Sequence, residues 1–492
     1  MMPKRIMPAL LQGAHQASIA SQVIGILVKQ EHTQNEDFDP DIMTGTEKRA
    51  SVSLAMIYSL RMLGLFMILP VFALYAQHLE GTTPLLIGVA IGIYGLTQAF
   101  FQIPFGMASD RFGRKKVIAF GLLVFAAGSV VAATADSMWG VIAGRALQGA
   151  GAIAAAIMAL AADLTREEHR TKAMAMIGAS IGLSFAFSLV AGPVIDGWVG
   201  VNGIFWITAG LALGGIAVLA FIVPTPINSR FHRDAEPIPS QFRTVLGNPE
   251  LLRLDVGIFI LHMALTASFV VLPLVLRDNL GLASSEHWKI YLPVLLLALV
   301  VMVPFVIIAE KKRRMKQVFV SSILMLAAGE FVFLVGADSL AIVVLALLTF
   351  FIGFNVLEAT LPSLISKTAP PDIKGTAMGV YSSSQFFGAF CGGGIGGWIH
   401  GQFGIQGVFL FILMALMLWF AVAATMKNPR YLASYMVNIG KVDDETARRL
   451  VGELTAVTGV AEAVVIAEEG IAYLKVDIHA LDKQQLKRFS QV

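Results

Sequence analysis

The uncharged run LLIGVAIGIYGLTQAFFQIPF, residues 85–105, limits this chain more than any other feature. Coiled as a helix, it is long enough to cross about 30 Å of hydrocarbon. Similar runs recur at roughly 50–77, 84–105, 117–135, 138–163, 172–196, 203–223, 251–276, 288–309, 316–335, 340–365, 375–399 and 406–426. In lipid the backbone must satisfy its own hydrogen bonds, so a row of such runs means helices. Composition agrees: 14% of residues are charged and 56% hydrophobic, where a soluble domain carries about 25% charged residues. The expected class is an all-α polytopic membrane protein with twelve transmembrane helices, in contact with a lipid bilayer.

Charge then sets the orientation. The connections after the second, fourth, sixth, eighth and tenth runs are dense in Lys and Arg, whereas those on the other side hold only Arg277 and Lys289. Basic residues stay in the cytoplasm during insertion, so both termini are predicted to be cytoplasmic. The one cysteine, Cys391, lies within an apolar run and allows no intramolecular disulfide.

Five regions follow along the chain. Residues 1–47 form a polar N-terminal extension in which KQEHTQNEDFDPD (29–41) is expected to be disordered. Met43 opens MTGTEKRASVSLAM, which suits a bacterial N-terminus, so an upstream mis-start is a second reading of residues 1–42. Six runs fill 48–223 and six fill 251–428, joined by a Pro-rich, charged linker at 224–250 with a short helix near 240–247. The halves repeat. TKAMAMIGAS (171–180) aligns with GTAMGVYSSS (375–384), and VNGIFWI (201–207) with IQGVFLF (405–411), both at an offset of 204 (375 minus 171). Parallel duplication of a six-helix unit is a transporter architecture whose substrate site lies between the halves.

Residues 429–492 read differently. A strand at 435–439, a helix at 443–457, a hairpin over 461–478 turning at Glu469-Gly470 and a last helix give the order βαββα. That is a ferredoxin-like order without its final strand. The loop GKVDDETA (440–447) has no cysteine or histidine, so soft-metal binding there is not expected. Asp443, Asp444 and Glu445 read as partners of a helix dipole rather than a carboxylate metal site. A missing strand leaves a sheet edge on which self-association is expected.

The stretch GMASDRFGRKK (106–116) packs an acid and four basic residues between two apolar runs. Gly106 and Gly113 permit close helix approach and a sharp turn. Arg111, Arg114, Lys115 and Lys116 suit a cytoplasmic loop. Asp110 does not, because an acid at a membrane boundary needs a partner. Ionisable residues also sit inside the runs: Arg61, Arg145, His262 and Glu358. Such residues are functional candidates by default. Arg61 could instead brace helices, His262 could be a packing residue, and Glu358 could stay paired or carry a proton. The glycine series CGGGIGGW (391–398) lacks the Lys-Ser/Thr of a phosphate loop and reads as close helix packing.

These motifs carry a resemblance. GMASDRFGRKK resembles the loop motif G-x-x-x-D-R-x-G-R-K/R of the major facilitator superfamily. GRALQGAGAIAAA (144–156) is similar to the fourth-helix motif of the superfamily's drug exporters, built on R-x-x-Q-G. AGPVIDGW (191–198) resembles the fifth-helix antiporter motif at Gly192, Pro193 and Gly197, with Asp196 where that motif prefers Gly. The resemblance implies that Asp110 meets the start of the eleventh helix, near Lys374–Ala377, when the cytoplasmic side closes. It implies that Arg114 pairs with an acid ending the fourth helix, here Asp163. One guanidinium has donors enough for both acids. It also implies a proton-coupling role for Arg145. Drug antiporters often carry an acid in the first helix, and none lies between Arg49 and Gln77.

The expected function is a proton-coupled antiporter, not an enzyme, exporting small amphipathic compounds from a bacterial inner membrane. A proton gradient replaces any cofactor, since no nucleotide motif or metal cluster is evident. No nucleic-acid partner is expected. Uptake of a metabolite by symport is the alternative within transport. A receptor or scaffold presenting the C-terminal domain is the alternative outside it.

Overall fold

The computed structural model describes residues 42–226, 238–429, 431–477 and 480–489. Almost all of the polar extension and the middle of the linker lie outside these residues. Helices carry the apolar runs: α1 (Gly45–Phe66), α2 (Phe72–Tyr75), α3 (Pro84–Phe112), α4 (Arg114–Ala133), α5 (Met138–Ala150), α6 (Ala154–Asp163) and α7 (Glu167–Phe221). After a short α8 (Phe242–Leu246) come α9 (Pro249–Leu274), α10 (Trp288–Lys311), α11 (Met315–Gly336), α12 (Leu340–Thr368) and α13 (Lys374–Ala424). Among the described residues nine helical stretches are long and apolar enough to cross a membrane.

Local chemistry sets the helix ends. Thr83 caps α3 by accepting from the Leu86 amide, with Pro84 in the first turn. Asn248 caps α9 by accepting from the Glu250 and Leu251 amides, again followed by proline. Both very long helices, α7 and α13, are two helices joined at one glycine. Gly200 has φ 70° and Gly404 has φ 68°, a conformation that residues with a Cβ rarely adopt.

Two runs that read as continuous are broken. The first divides between α1 and α2, with Pro70 in the gap; proline lacks the N–H that a continuing helix would use. The fourth divides between α5 and α6 at Gly151–Ile153. There a Cβ on Gly151 would lie 3.1 Å from the Phe125 amide nitrogen of α4, so the break sits at a close crossing.

Small residues form the seams. On α13, Gly388, Gly392 and Gly396 lie against Phe259, Met263 and Ala267 of α9, while Gly393 and Gly397 lie against Gly88 and Pro84 of α3. The glycine series therefore serves two neighbours at once, which is how helices approach closely in lipid. The matching seam in the first half uses serine. Ser180, Ser184 and Ser188 of α7 donate to the carbonyls of Ala55, Ser59 and Leu63 of α1.

After α13 a three-stranded antiparallel sheet forms from β1 (Ala433–Asn438), β2 (Val460–Ile466) and β3 (Ile471–Val476), in the order β1-β3-β2. Helices α14 (Asp444–Thr455) and α15 (Lys483–Lys487) accompany it. Asp443 caps α14 by accepting from the Thr446 amide. A small core of Val437, Leu454, Ala472, Leu474 and Leu486 closes the unit. It docks on the start of α11 and the end of α12, and Arg170 of α7 reaches Met436 of β1. The Met315 amide donates to Tyr431 Oη at 2.8 Å, and Lys475 Nζ donates to the Ser366 carbonyl at 2.6 Å.

Candidate functional site

The charged turn between α3 and α4 is built on Gly113, whose φ of 97° demands glycine. It aims Arg114 inward, where the residue is buried. Arg114 Nη1 donates to Ser109 Oγ at 2.8 Å and Nε donates to Asp163 Oδ2 at 3.3 Å. Arg114 also pairs with Asp110. One guanidinium thus meets the carboxylates ending α3 and α6. Gly106 faces Ala155 of α6, 3.1 Å from where its Cβ would lie. Lys115 turns away and donates to the Val223 carbonyl at 2.6 Å, where Arg49 also reaches the Ile222 carbonyl at 2.8 Å. Both cations meet the negative end of α7. Arg111 lies over the Phe112 ring at 5.6 Å.

Asp110 keeps about a third of its side chain exposed (35%). Among the described residues it forms no hydrogen bond or ion pair with 374–377 at the start of α13. The halves do meet along α3 and α13, where Gln102 Nε2 donates to Ser383 Oγ at 2.5 Å and to the Gly379 carbonyl at 3.3 Å, and they meet again at the opposite ends of their helices. Asp196 accepts from Ser284 Oγ at 2.9 Å, and Arg277 donates to Gln77 Oε1 at 2.8 Å. Gly197 lets Ser285 approach to 3.0 Å of its Cβ position, and Gly192 lies against the Met67 carbonyl in the gap between α1 and α2. Pro193 sits inside α7 beside these contacts. The residue that departs from the antiporter pattern, Asp196, thus makes a bond across the halves.

Arg61 and Arg145 are buried on either side of Tyr94. Each guanidinium carbon lies 5.4 Å from the Tyr94 ring centroid, and Arg61 lies equally close to Phe125. Arg61 donates to Gln98 Oε1 at 2.5 Å. Arg145 donates to the Ala90 and Ile91 carbonyls of α3, at 3.3 and 3.2 Å, and to Gln148 Oε1 at 3.1 Å. Gln148 in turn donates to Ser129 Oγ at 2.8 Å. Desolvated cation–ring contacts contribute about 2 kcal/mol each, which offsets part of the loss of water.

His262 of α9 and Glu358 of α12 come together around Gln385 of α13. Gln385 Nε2 donates to His262 Nε2 at 2.8 Å and to Glu358 Oε1 at 3.3 Å, and His262 Nε2 lies 3.8 Å from Glu358 Oε2. The Glu358 side chain remains 32% exposed. Sequence reasoning paired neither His262 with Glu358 nor either with Gln385, because an amide carries no charge to draw notice. It also passed over Glu330, buried in α11 with Ser268 of α9 as its partner. Its position inside an apolar run was the available signal.

Comparisons with known proteins agree with this architecture. The sequence profile of the Major Facilitator Superfamily matches residues 54–392. The inner membrane transport protein YajR of Escherichia coli is 48% identical over 446 residues, covering 91% of this chain and 98% of that one. The multidrug resistance protein MdtH of Proteus mirabilis is 26% identical over 69% of this chain and 84% of its own. Among solved structures, an inward-facing, unoccupied bacterial homologue of the human lysosomal transporter Spinster superposes with a TM-score of 0.62. It shares 13% identity, over 78% of this chain and 98% of that one.

Proposed function

Since the chain belongs to the major facilitator superfamily, we propose that it is a proton-coupled antiporter that exports small amphipathic compounds across a bacterial inner membrane. The observation that carries this reading is the Glu358–Gln385–His262 cluster. One amide nitrogen serves two acceptors. A proton arriving at His262 Nε2 removes the lone pair that Gln385 uses there, so the amide must turn or α13 must shift, whereas one arriving at Glu358 cancels its charge and weakens the bond it accepts. Because the three residues lie on α9, α12 and α13, protonation is coupled to helix movement. The partial exposure of Glu358 gives the proton a way in. Arg145 acts from the first half, where its hydrogen bonds to α3 tie α5 to the helix that carries Asp110.

The contacts across the halves lie both along α3 and α13 and at the far ends of the helices. Asp196–Ser284 and Arg277–Gln77 join the far ends of the halves, and Gln102 joins α3 to Gly379 and Ser383 of α13. In alternating access 48–223 would rock against 251–428, and Asp110 would meet the positive N-terminus of α13 when the cytoplasmic side closes. Dividing α7 and α13 at their glycines, and adding α1 with α2, supports a count of twelve spans. The basic loops support cytoplasmic termini. The sheet order supports a ferredoxin-like C-terminal unit, whose outer edges are open to a second copy. Export of amphipathic compounds is supported by the similarity to a multidrug resistance protein.

The test uses purified protein in proteoliposomes with an imposed pH gradient and a panel of amphipathic dyes. The wild type should move dye against its gradient. Glu358→Gln should abolish gradient-driven movement while leaving dye exchange measurable. Full pH-driven transport in both Glu358→Gln and His262→Gln overturns the proton assignment.

A further inference from the structure

Glu330 lies in α11, with no exposed surface. Its Oε1 is 2.8 Å from Ser268 Oγ of α9, and its Oε2 has no partner among the described residues. Ser268 Oγ also sits 2.9 Å from the Ala264 carbonyl one turn back on its own helix. A hydroxyl has one proton to give. If Ser268 gives it to Glu330, the Ala264 contact is lost. A carboxylate is then buried with a single hydrogen bond and one bare oxygen. If Ser268 gives it to Ala264, as serines inside helices do, its oxygen must accept from Glu330, and Glu330 must carry a proton. Only the second arrangement makes both contacts and leaves no charge in an apolar interior, where an unpaired carboxylate is far costlier than an unpaired carbonyl.

The neighbours offer no counter-charge. On the helices packed around α11, the titratable groups within the apolar stretches are Asp255 and His262 on α9, Tyr291 on α10 and Glu358 on α12. Residues 406–424 of α13 carry none. Among the described residues none of these bonds to Glu330. Nor is Glu330 part of the Glu358 cluster: His262 and Ser268 are six residues apart on α9, so they point about 120° apart round the helix.

We propose that Glu330 is a second proton-binding site, holding a neutral carboxylic acid whose O–H donates to Ser268 Oγ, separate from the Glu358–His262 cluster. The ligand is a proton taken from water; no bond other than O–H forms or breaks. The site ties α11 to α9 while it is loaded. It stands independently of the antiport reading, because it concerns the protonation of one group and not the direction of any flux.

Infrared difference spectroscopy on the full-length protein in lipid tests it. At neutral pH the wild type should show a carboxylic-acid C=O band that shifts in deuterium oxide. Glu330→Gln should remove that component, and Glu358→Gln should leave it in place. Ser268→Ala is the gentler variant, expected to fold and to move the band to higher frequency as the hydrogen bond is lost. A band unaffected by both Glu330→Gln and Ser268→Ala overturns the proposal. So does a wild type with no acid band at neutral pH.

Discussion

The two helical halves, 48–223 and 251–428, share a backbone plan and place opposite charges in the middle of their apolar stretches. In the first half the cations Arg61 and Arg145 flank Tyr94, and among the described residues neither forms an ion pair. In the second half the acids Asp255, Glu330 and Glu358 are enclosed by apolar helices, and no Lys or Arg among the described residues pairs with them. The repeat offset makes the contrast local. Arg61 corresponds to Leu265, and His262 to Tyr58. Packing positions kept their character better than polar ones did. Ser184 and Ser188 of α7 correspond to Gly388 and Gly392 of α13, and all four sit in an interhelical seam. Duplication thus preserved where helices touch and left each half to acquire its own chemistry. A guanidinium holds its protons at any physiological pH, whereas a carboxyl shielded from water and from counter-charge can exchange one near neutrality. The proton coupling proposed above therefore rests on the second half.

The largest effect should come from deleting a member of the charged set in each half. Arg145→Ala strips hydrogen bonds from a buried guanidinium, each worth about 1.5–3 kcal/mol, and should lower thermal stability in detergent as well as abolish transport. Glu358→Gln should abolish gradient-driven transport with little loss of stability. Equal stability losses in the two variants would break the contrast between a structural cation and a titrating acid.

The seams sharpen the same comparison. A Cβ at Gly392 would lie 2.8 Å from Met263 Cα, so Gly392→Ala forces backbone apart and should cost about 1–3 kcal/mol. Ser188→Ala loses one hydrogen bond, worth about 0.6 kcal/mol in a membrane. Unfolding of both variants in denaturing detergent gives the ranking, and the reverse order would refute it.

Asp110→Asn removes the charge expected to meet the α13 terminus, an interaction of about 0.3–1 kcal/mol when exposed and up to ~2 when partly buried. Spin-label distances between the Phe112 end of α3 and the Lys374 end of α13 should lengthen. An unchanged distribution would remove the switch from the first half.

The smallest effect concerns the docked C-terminal unit. Burial pushes the Lys475 ammonium down from 10.5 to about 8, with Lys374 adding to the effect. A base with a lowered pKa holds fewer protons docked than free, so docking should strengthen as pH rises from about 8 to about 10.5 and stay level below that window. Cross-linking between Asp477 and Arg313, which lie 3.4 Å apart, would follow it after cysteine replacement at both positions. Weaker docking across that window would reverse the sign.

Much of the fold was legible because hydrocarbon demands length, and length can be read from runs such as 85–105 or 340–365. The breaks were less legible. Pro70 marks one, but the α5–α6 break depends on how closely Gly151 meets α4, which no local pattern reveals. At the site, the Asp110–Arg114–Asp163 grouping followed from the resemblance and the spacing of charges. The partner of Glu358 did not, since His262 and Gln385 are brought to it from two other helices. Asp110 itself shows the limit of one sequence: its bonded partner in this structure is Arg114, and no bond to 374–377 forms among the described residues.

Gly200 and Gly404 stand 204 residues apart (404 minus 200), each the only non-helical residue inside its long helix. The chain therefore offers almost no loop at either place. An antibody, a protease or an inserted epitope tag working from that face would find nothing to grip at these two turns. A tag placed at Gly200 or Gly404 would have to pry a pair of helices apart, so on the face that holds the Asp196–Ser284 contact such reagents are left with connections such as 275–287. A reporter of conformational change is better carried by those connections or by the basic loops at the other end.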